Sequence, residues 1–361
     1  MSSMKPWSGL RFVCVLLLAV ANGAFAQQFS GRVITMIVNY TAGGPTDIEA
    51  RLIARHLPKY LHGVSSIVVR NAGGGGGIIG VNQLGESSER ERFNLGYFTW
   101  DPVSQLIQDP ILHVRYDNLK FIAGFCQVSL VYIRRDTPPG INRSADVVKA
   151  ANIKAGGLTP QSHGTVRQRL ALDLLGAKYE TITGYKGLNE TELGVRRGDL
   201  QLANNSLPGW YGSVKPNLVD TGIVIPLFQY DYERPDGTLG RNPDLPDVPA
   251  FIEVYKDIMG ESAVPSGERW QALRLLTRIM DSMFRTVFMP PNAPAAAVEE
   301  MRAAFEKLAD DAEFSADYEK VVRTKPHFIV GAQGEAIIAE LGKVQPSIVS
   351  FMRKFVDAGR H

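Results

Sequence analysis

The chain has 361 residues, of which 45% are hydrophobic and 21% charged, with 35 glycines and two cysteines. This apolar content predicts a large buried core and excludes wholesale disorder, and the length predicts about two domains. The 39 basic and 37 acidic residues form no basic stripe of the kind that binds nucleic acid. Two cysteines are too few for a disulfide framework or a four-cysteine zinc site.

Residues 1–26 have the three-part pattern of a secretory signal peptide. Lys5 and Arg11 form a positive segment, residues 12–21 are an apolar run, and an Ala-x-Ala cleavage pattern ends at Ala26. The alternative is a transmembrane anchor, but ten apolar residues cannot cross about 30 Å of hydrocarbon. We therefore expect export and cleavage after Ala26.

Cleavage would change the composition of the mature protein. Loss of Lys5 and Arg11 leaves 37 basic residues against 37 acidic ones. Loss of Cys14 leaves Cys126 as the only cysteine, without an intramolecular partner. A buried, inert thiol is the default expectation for such a residue.

Strands, glycine-rich loops and helices alternate along the first third of the chain. Strands are predicted at residues 33–39, 66–69 and 95–99 from β-branched and apolar runs. A helix is predicted from Thr46, which with Glu49 makes the spacing of a capping box, and a second helix begins at Ile78. This alternation indicates an α/β fold built on parallel sheets.

The same rhythm continues to the end of the chain. Apolar patterns predict the following further elements: strands at 121–134, 153–155, 179–183, 199–204, 223–228 and 286–289, and helices around 166–175 and over 190–196, 267–284, 295–309 and 334–356. Residues 230–248 are rich in Pro, Gly and Asp and are predicted to be loop.

Two glycine-rich loops, residues 42–46 and 72–77, precede two helices of one sheet. Both should lie at the carboxyl edge of the strands, where open α/β sheets bind ligands. Free backbone N–H groups and helix dipoles at that edge favour an anion such as a carboxylate. The alternative is that these glycines serve only as turns.

Residues 75–80 match G-x-G-x-x-G, the fingerprint of a dinucleotide-binding loop. Asp101, however, falls outside the position of the acid that would bind the ribose, which disfavours a dinucleotide.

Catalytic motifs are weak. The chain has no H-E-x-x-H and no G-x-S-x-G sequence, and no two histidines stand four residues apart. His163, next to Ser162, could contact a ligand or be an ordinary loop histidine. We therefore expect neither an enzyme nor a bound metal or cofactor.

Several segments, in order along the chain, resemble the TctC or Bug family, the substrate-binding proteins of tripartite tricarboxylate transporters. They are residues 38–51 (V-N-Y-T-A-G-G-P-T-D-I-E-A-R), 69–76 (V-R-N-A-G-G-G-G), 185–187 (Y-K-G), 198–201 (G-D-L-Q), 206–208 (S-L-P), 246–249 (P-D-V-P) and 289–294 (M-P-P-N-A-P). Each motif is weak alone, whereas their shared order over nearly the whole mature chain is specific.

The resemblance implies a periplasmic, two-lobed Venus flytrap fold of type II with two chain crossovers between parallel-sheet lobes. Lobe 1 would comprise residues 27–124 and 232–361, and lobe 2 residues 125–231. It implies a monomeric receptor that captures a small carboxylate and delivers it to membrane transporter subunits. An exported enzyme acting on a carboxylate, or a sensor that signals instead of transporting, remain alternatives.

The family's binding positions carry over to two loops in the first lobe and to matching segments in the second. They are Thr41, Gly43, Thr46, Asp47, Ala72, Gly74, Gly75, Gly157, Thr159, Ser162, Tyr185, Lys186 and Asn205. The chain departs from the family pattern in two places. Residues 156–163 match it poorly, with Arg169 where a histidine is expected, and residues 231–285 are longer than usual with an extra amphipathic helix.

Overall fold

A computed structural model of the chain describes residues 28–360 and contains two large β-sheets, each with its own helices. The predicted signal peptide, residues 1–26, lies outside the described residues. Within the described part, no helix is both long and apolar enough to cross a membrane.

The strands fall into a six-stranded sheet, a five-stranded sheet and a two-stranded hairpin. Their bounds are β1 Val33–Val38, β2 Ser66–Asn71, β3 Leu95–Thr99, β4 Lys120–Phe125, β5 Ser129–Arg134, β6 Ile153–Gly156, β7 Tyr179–Ile182, β8 Leu202–Ser206, β9 Val224–Gln229, β10 Tyr232–Glu233, β11 Leu239–Gly240, β12 Arg285–Met289 and β13 Phe328–Val330.

The helices cover both sheets. Their bounds are α1 Pro45–His56, α2 Ile78–Gly85, α3 Pro102–Leu106, α4 His163–Leu175, α5 Leu188–Arg197, α6 Leu207–Gly209 followed by a π-helix at Trp210–Val219, α7 Phe251–Met259, α8 Gly267–Ser282, α9 Ala295–Ala309, α10 Ala312–Val322, α11 Ala332–Glu340 and α12 Pro346–Asp357.

The two sheets define two lobes, as a Venus flytrap fold requires. The strand order is β13-β4-β12-β3-β1-β2 in the first and β7-β6-β8-β5-β9 in the second. Residues 126–128 lead from the first sheet to the second, and residues 230–284 lead back. The lobe boundaries at residues 124 and 231 stay a prediction.

The predicted parallel pairing holds for part of each sheet. β1 pairs in parallel with β2 and β3, and β6 with β7 and β8, where loops and helices join the strands. β5 and β12 are antiparallel to their neighbours. Each is the first strand after a crossover, so each starts at the edge where its neighbours end, and both sheets are mixed.

Most predicted elements appear within one to three residues of their predicted bounds, and Ala295–Ala309 and Leu95–Thr99 match fully. The single run at 121–134 is two strands, because the first crossover interrupts it. The predicted loop at 230–248 contains the small hairpin of β10 and β11. Helices α3, α6 with the π-helix that follows it, α7 and α10, and strand β13, were not predicted.

The predicted capping box at the start of α1 is wrong. The helix is capped by the backbone of Gly44, with Pro45 in its first turn and no side-chain capping bond. Thr46 instead shares a hydrogen bond of 2.9 Å with Thr99, and Glu49 is fully buried beside Arg285. Thr46 and Glu49 therefore have the spacing of a capping box, but both make tertiary contacts instead.

The segment between β9 and β12 contains two helices where the sequence indicated one. α8 packs against α4 of the second lobe and against α12, while α7 packs against α4 and the turn at Ser144–Lys149. Both helices of this segment therefore pack beside α4.

A buried polar network joins the two lobes where the chain crosses. Arg285, at the start of β12, donates to the Glu49 carboxylate at 3.0 Å and to the Ser206 hydroxyl at 3.0 Å. Gln127, in the first crossover, donates to Glu49 and to Tyr318. Glu49 and Arg285 are both essentially inaccessible to solvent. Burial raises the pKa of Glu49, while Arg285 and the hydroxyl of Tyr318 act in the opposite direction.

Glu49→Gln should lower the free energy of unfolding by about 3–5 kcal/mol, because it leaves the Arg285 guanidinium buried without a counter-charge. Urea denaturation measures this change. Glu299→Gln is the matched control: Glu299 forms an exposed pair with Arg302, and its loss should cost less than about 0.5 kcal/mol. Equal denaturation midpoints for Glu49→Gln and the unsubstituted protein would contradict the role given to this pair.

Candidate functional site

A cleft lies where the carboxyl ends of β1 and β3 face the second sheet. Residues of both lobes and of the crossovers line it: Tyr40, Gly44, Pro45, Thr46, Thr99, Ser129, Gly156, Gly157, Leu158, Ser162, His163, Gly164, Thr165, Arg167, Gly187, Leu188, Asn189, Thr191, Asn204, Tyr230 and Phe284. Of the thirteen predicted site residues, the lining includes Thr46, Gly157 and Ser162.

The first-lobe wall is held by hydrogen bonds between strand ends. The side chain of Asn39 donates to the carbonyl of Thr99 and accepts from its backbone N–H, both at 3.1 Å. The hydroxyl of Tyr40 donates to the carbonyl of Gly76 at 2.9 Å. These bonds fix the ends of β1 and β3 and place Thr46, in the first turn of α1, on the cleft wall.

Asp47 braces its own loop. Its carboxylate accepts from the backbone N–H of Gly43 at 2.9 Å and from Arg51 at 3.0 Å. Burial raises the pKa of Asp47, but these bonds outweigh that effect and the pKa is lowered. Asp47 and Gly43 thus shape the loop from outside the cleft lining.

The second glycine loop approaches the second lobe closely. Gly74, Gly75, Gly76 and Gly77 all have positive φ. A Cβ on Gly76 would lie 2.6 Å from the Thr159 hydroxyl oxygen and 3.3 Å from the Ser162 Cβ. Two predicted second-lobe residues therefore face this loop, although the glycine they meet is Gly76 and not Gly74 or Gly75. Ala72 is buried, and its N–H donates to Val38.

A second contact between the lobes lies near Thr41. Its hydroxyl donates to the side-chain oxygen of Asn189 at 3.2 Å. Tyr185 and Lys186 precede this region and do not line the cleft; the backbone N–H of Lys186 donates to Glu190 at 2.8 Å. The bond between Thr41 and Asn189 therefore joins the two lobes beside the cleft.

Asn205, a predicted site residue, does not line the cleft because side chains alternate between the two faces of its strand. Successive side chains of a strand point to opposite faces, and in β8 it is Asn204 that lines the cleft. The Asn205 side chain instead accepts from the backbone N–H of Ser206 at 2.9 Å.

Arg167 is a cleft residue that was not predicted from the sequence. It is 1% exposed, and its guanidinium lies 3.9 Å from the centroid of the Tyr230 ring. One nitrogen donates to the hydroxyl of Ser129, whereas Nε and Nη1 have no hydrogen-bond partner among the described residues. The carboxylate of Asp281 is 3.9 Å away, beyond hydrogen-bonding distance. Burial lowers the pKa of Arg167, opposed by Tyr230 and Asp281.

His163 lies one helical turn before Arg167. It packs edge-on against Phe284 with ring centroids 5.5 Å apart. Burial, and then the charges of Arg167 and Arg285, hold the pKa of His163 well below its ordinary value. The imidazole is thus neutral, and its Nδ1 has no hydrogen-bond partner within residues 28–360.

The i, i+4 spacing of His163 and Arg167 is the signal in the sequence from which this pair of cleft residues could have been predicted. The family pattern instead drew attention to Arg169, which lies elsewhere. The Arg169 guanidinium lies 4.3 Å from the Phe355 ring and packs against α12 instead of entering the cleft.

Known proteins resemble the chain in sequence. No protein-family model matches it. A UPF0065 protein from the TAR-I ttuE-ttuC' intergenic region of Agrobacterium vitis is 26% identical over 252 residues, 67% of this chain and 68% of that protein. A UPF0065 protein from the gbd 5' region of Cupriavidus necator is 25% identical over 318 residues, 83% and 88%. BugT of Bordetella pertussis is 34% identical over 76 residues, 21% and 23%.

Solved structures share the fold. The periplasmic binding protein BugD superposes with a TM-score of 0.66 at 20% identity over 91% of this chain and 98% of that one. MatC from Rhodopseudomonas palustris, with bound malate, gives 0.63 at 18% over 91% and 100%. An R. palustris protein with adipate gives 0.65 at 17% over 91% and 97%.

These relatives and folds agree with the resemblance found in the sequence motifs. The chain is similar in sequence to UPF0065 and Bug proteins, and it has the fold of periplasmic binding proteins.

Gly76→Ala should weaken closure of the lobes, because the added methyl group would press on Thr159 in addition to straining a backbone at φ 68°. Small-angle X-ray scattering should show a larger radius of gyration.

Gly176→Ala controls for strain alone. Gly176 has φ 76° at the end of α4, with no atom within 4 Å of the added Cβ. It should lose stability without any change in the radius of gyration. The same dimensions for both variants would show that Gly76 does not limit closure.

Proposed function

We propose that the chain is an extracytoplasmic receptor that captures a small carboxylate in the cleft between its lobes. It then delivers this ligand to a membrane transporter of the tripartite tricarboxylate type. The wider class, a solute-binding protein, rests on the relatives and fold described above. The carboxylate, the cleft as its site, the transporter, the periplasmic location and the monomeric state belong to the proposal.

The observation that supports a carboxylate ligand is that Arg167 is buried without enough hydrogen-bond partners within residues 28–360. A buried guanidinium is costly unless anions or hydrogen-bond acceptors meet its N–H groups. Nε and Nη1 have no hydrogen-bond partner in the described protein, and the Asp281 carboxylate lies 3.9 Å from Nη1, although Arg167 lines the cleft. A carboxylate supplies two acceptor oxygens in the geometry that a guanidinium matches.

The first lobe offers complementary donors across the cleft. The first turn of α1, a twelve-residue helix, leaves backbone N–H groups without intrahelical partners, next to the Thr46 hydroxyl. Tyr40, Leu188 and Phe284 give the cleft an apolar part that suits the carbon skeleton of an organic acid. MatC with malate and the R. palustris protein with adipate show that other proteins of this fold hold such acids.

The interlobe contacts supply the mechanism of capture. Thr41 with Asn189, and Gly76 with Thr159, are contacts that form only when the lobes are together. A ligand bridging both lobes stabilises that closed form by its greater affinity for it. Closure then buries the carboxylate and presents one shape to the transporter.

An exported hydrolase that works by nucleophilic catalysis would need a nucleophile paired with a base. The Ser162 hydroxyl donates to the carbonyl of Thr159 at 3.0 Å and shares a bond with Thr165 at 2.8 Å, with no bond to His163. The cleft therefore suits binding better than hydrolysis.

Arg167→Gln should weaken binding of small mono- and dicarboxylates about ten- to a hundredfold, because a hydrogen bond between charged groups contributes about 1.5–3 kcal/mol. Isothermal titration calorimetry against malate, succinate and adipate measures this loss.

Arg169→Gln is the matched control: a buried arginine of the same helix that packs on Phe355 away from the cleft. It should bind carboxylates like the unsubstituted protein. Undiminished carboxylate affinity in a folded Arg167→Gln variant would remove Arg167 from the site. Absence of any carboxylate binding by the unsubstituted protein would refute the proposed function itself.

A further inference from the structure

A second cavity, of about 280 Å³, adjoins the cleft and shares Tyr230 with it. The long segment between β9 and β12 builds most of its wall: the hairpin of β10 and β11, the start of α7 and one face of α8. This segment is longer than the family resemblance implies, so the cavity belongs to an addition to the fold.

One wall of the second cavity is aromatic. The rings of Phe251 and Trp270 stack with centroids 5.9 Å apart and an interplanar angle of 24°. Leu273 extends this apolar wall. Such a surface accepts the flat apolar part of a small molecule, and its ring faces attract cations.

Two poorly neutralised carboxylates face the same space. Asp231 is 8% exposed and accepts one backbone bond, from Ile252 at 2.8 Å. Asp281 Oδ1 is buried without a hydrogen-bond partner in residues 28–360, and its nearest cation, Arg167, is 3.9 Å away. Burial raises the pKa of Asp231 to about 7 and that of Asp281 to about 8, and the nearby charges of Arg274 and Arg167 offset this only in part.

The Tyr230 hydroxyl is a further buried polar group at this cavity that lacks a hydrogen-bond partner within residues 28–360. The Tyr230 side chain is 1% exposed and lines this cavity. A buried hydroxyl normally finds a partner, because an unpaired polar group loses its hydration without compensation.

The arginines that line the cavity form their ion pairs with other acidic residues than Asp231 and Asp281. Arg274 pairs with Glu233 at 2.5 Å, and Arg278 faces Glu340 at 3.8 Å. Both pairs are substantially exposed, so they form a rim of balanced charge. The buried acidic groups, Asp231 and Asp281, then outnumber the one buried guanidinium beside them, that of Arg167.

We propose that the second cavity binds a small organic cation, a primary amine or guanidinium attached to a flat apolar group. The N–H groups of this ligand would donate to Asp231 and Asp281, and the Tyr230 hydroxyl would lie within the same polar end. Its apolar part would stack on Trp270 and Phe251. The proposal does not rest on the carboxylate function of the cleft, although Tyr230 lines both spaces and Asp281 lies 3.9 Å from Arg167.

The test is calorimetric titration of the purified protein at about pH 8.5 with phenethylammonium, using 2-phenylethanol as the neutral analogue. The amine should bind and the alcohol should bind at least tenfold more weakly. Asp231→Asn and Asp281→Asn should each weaken amine binding at least tenfold. Asp310→Asn, an exposed aspartate outside the cavity, should leave amine affinity unchanged.

Three results would overturn the proposal: no amine binding at millimolar concentration, equal binding of amine and alcohol, or full affinity in both cavity variants. If the Asp281→Asn protein does not fold, Asp231→Asn together with Trp270→Leu decides the matter, since Trp270 supplies the aromatic face. Succinate titration of Asp231→Asn separates this site from the cleft, since Asp281 lies beside Arg167: loss of amine binding with retained succinate binding assigns the effect to the second cavity.

Discussion

The buried contact between Glu49 and Arg285 is the interaction on which the rest of the structure depends. Glu49 belongs to the first helix of the six-stranded lobe, and Arg285 begins the strand that returns from the other lobe. Arg285 also holds Ser206, at the end of a second-lobe strand, while Gln127 joins from the first crossover. Both crossovers and both lobes therefore meet at one charged pair that water does not reach.

This buried network explains why the cleft is built as it is. The strands that end beside the cleft are followed by the glycine loops and by the first turns of helices. In contrast, β5 and β12 begin at this edge, because the chain enters each lobe at the cleft. Ligand groups thus come from strand ends on both sides. The small residues of the first lobe allow close approach, and the charge comes from Arg167 of the second lobe.

Local sequence patterns predicted most strands and helices because hydrophobic periodicity and glycine punctuation are local signals. Of the residues carried over from the family, Thr46, Gly157 and Ser162 line the cleft, although residues 156–163 match the family pattern poorly. The capping-box interpretation was wrong because Thr46 and Glu49 have tertiary partners, Thr99 and Arg285, that are distant in sequence.

Contacts across the two lobes could not be predicted from the sequence in the same way. Arg167 reads as one more charge on an amphipathic helix, and only the packing of Tyr230 and Ser129 turns it towards the cleft. Asn204 and Asn205 are equivalent in sequence until the register of β8 assigns them to opposite faces. The second cavity depends on how α7 and α8 pack, which no short motif encodes.

The central claim is that a carboxylate binds between the lobes, with Arg167 on one side and the first turn of α1 on the other. A crystal structure of the protein with the tightest-binding organic acid tests it most directly. We expect a carboxylate within hydrogen-bonding distance of the Arg167 guanidinium and a closed cleft. A carboxylate bound outside the cleft, or one in the cleft that leaves Arg167 unpaired, would contradict the claim.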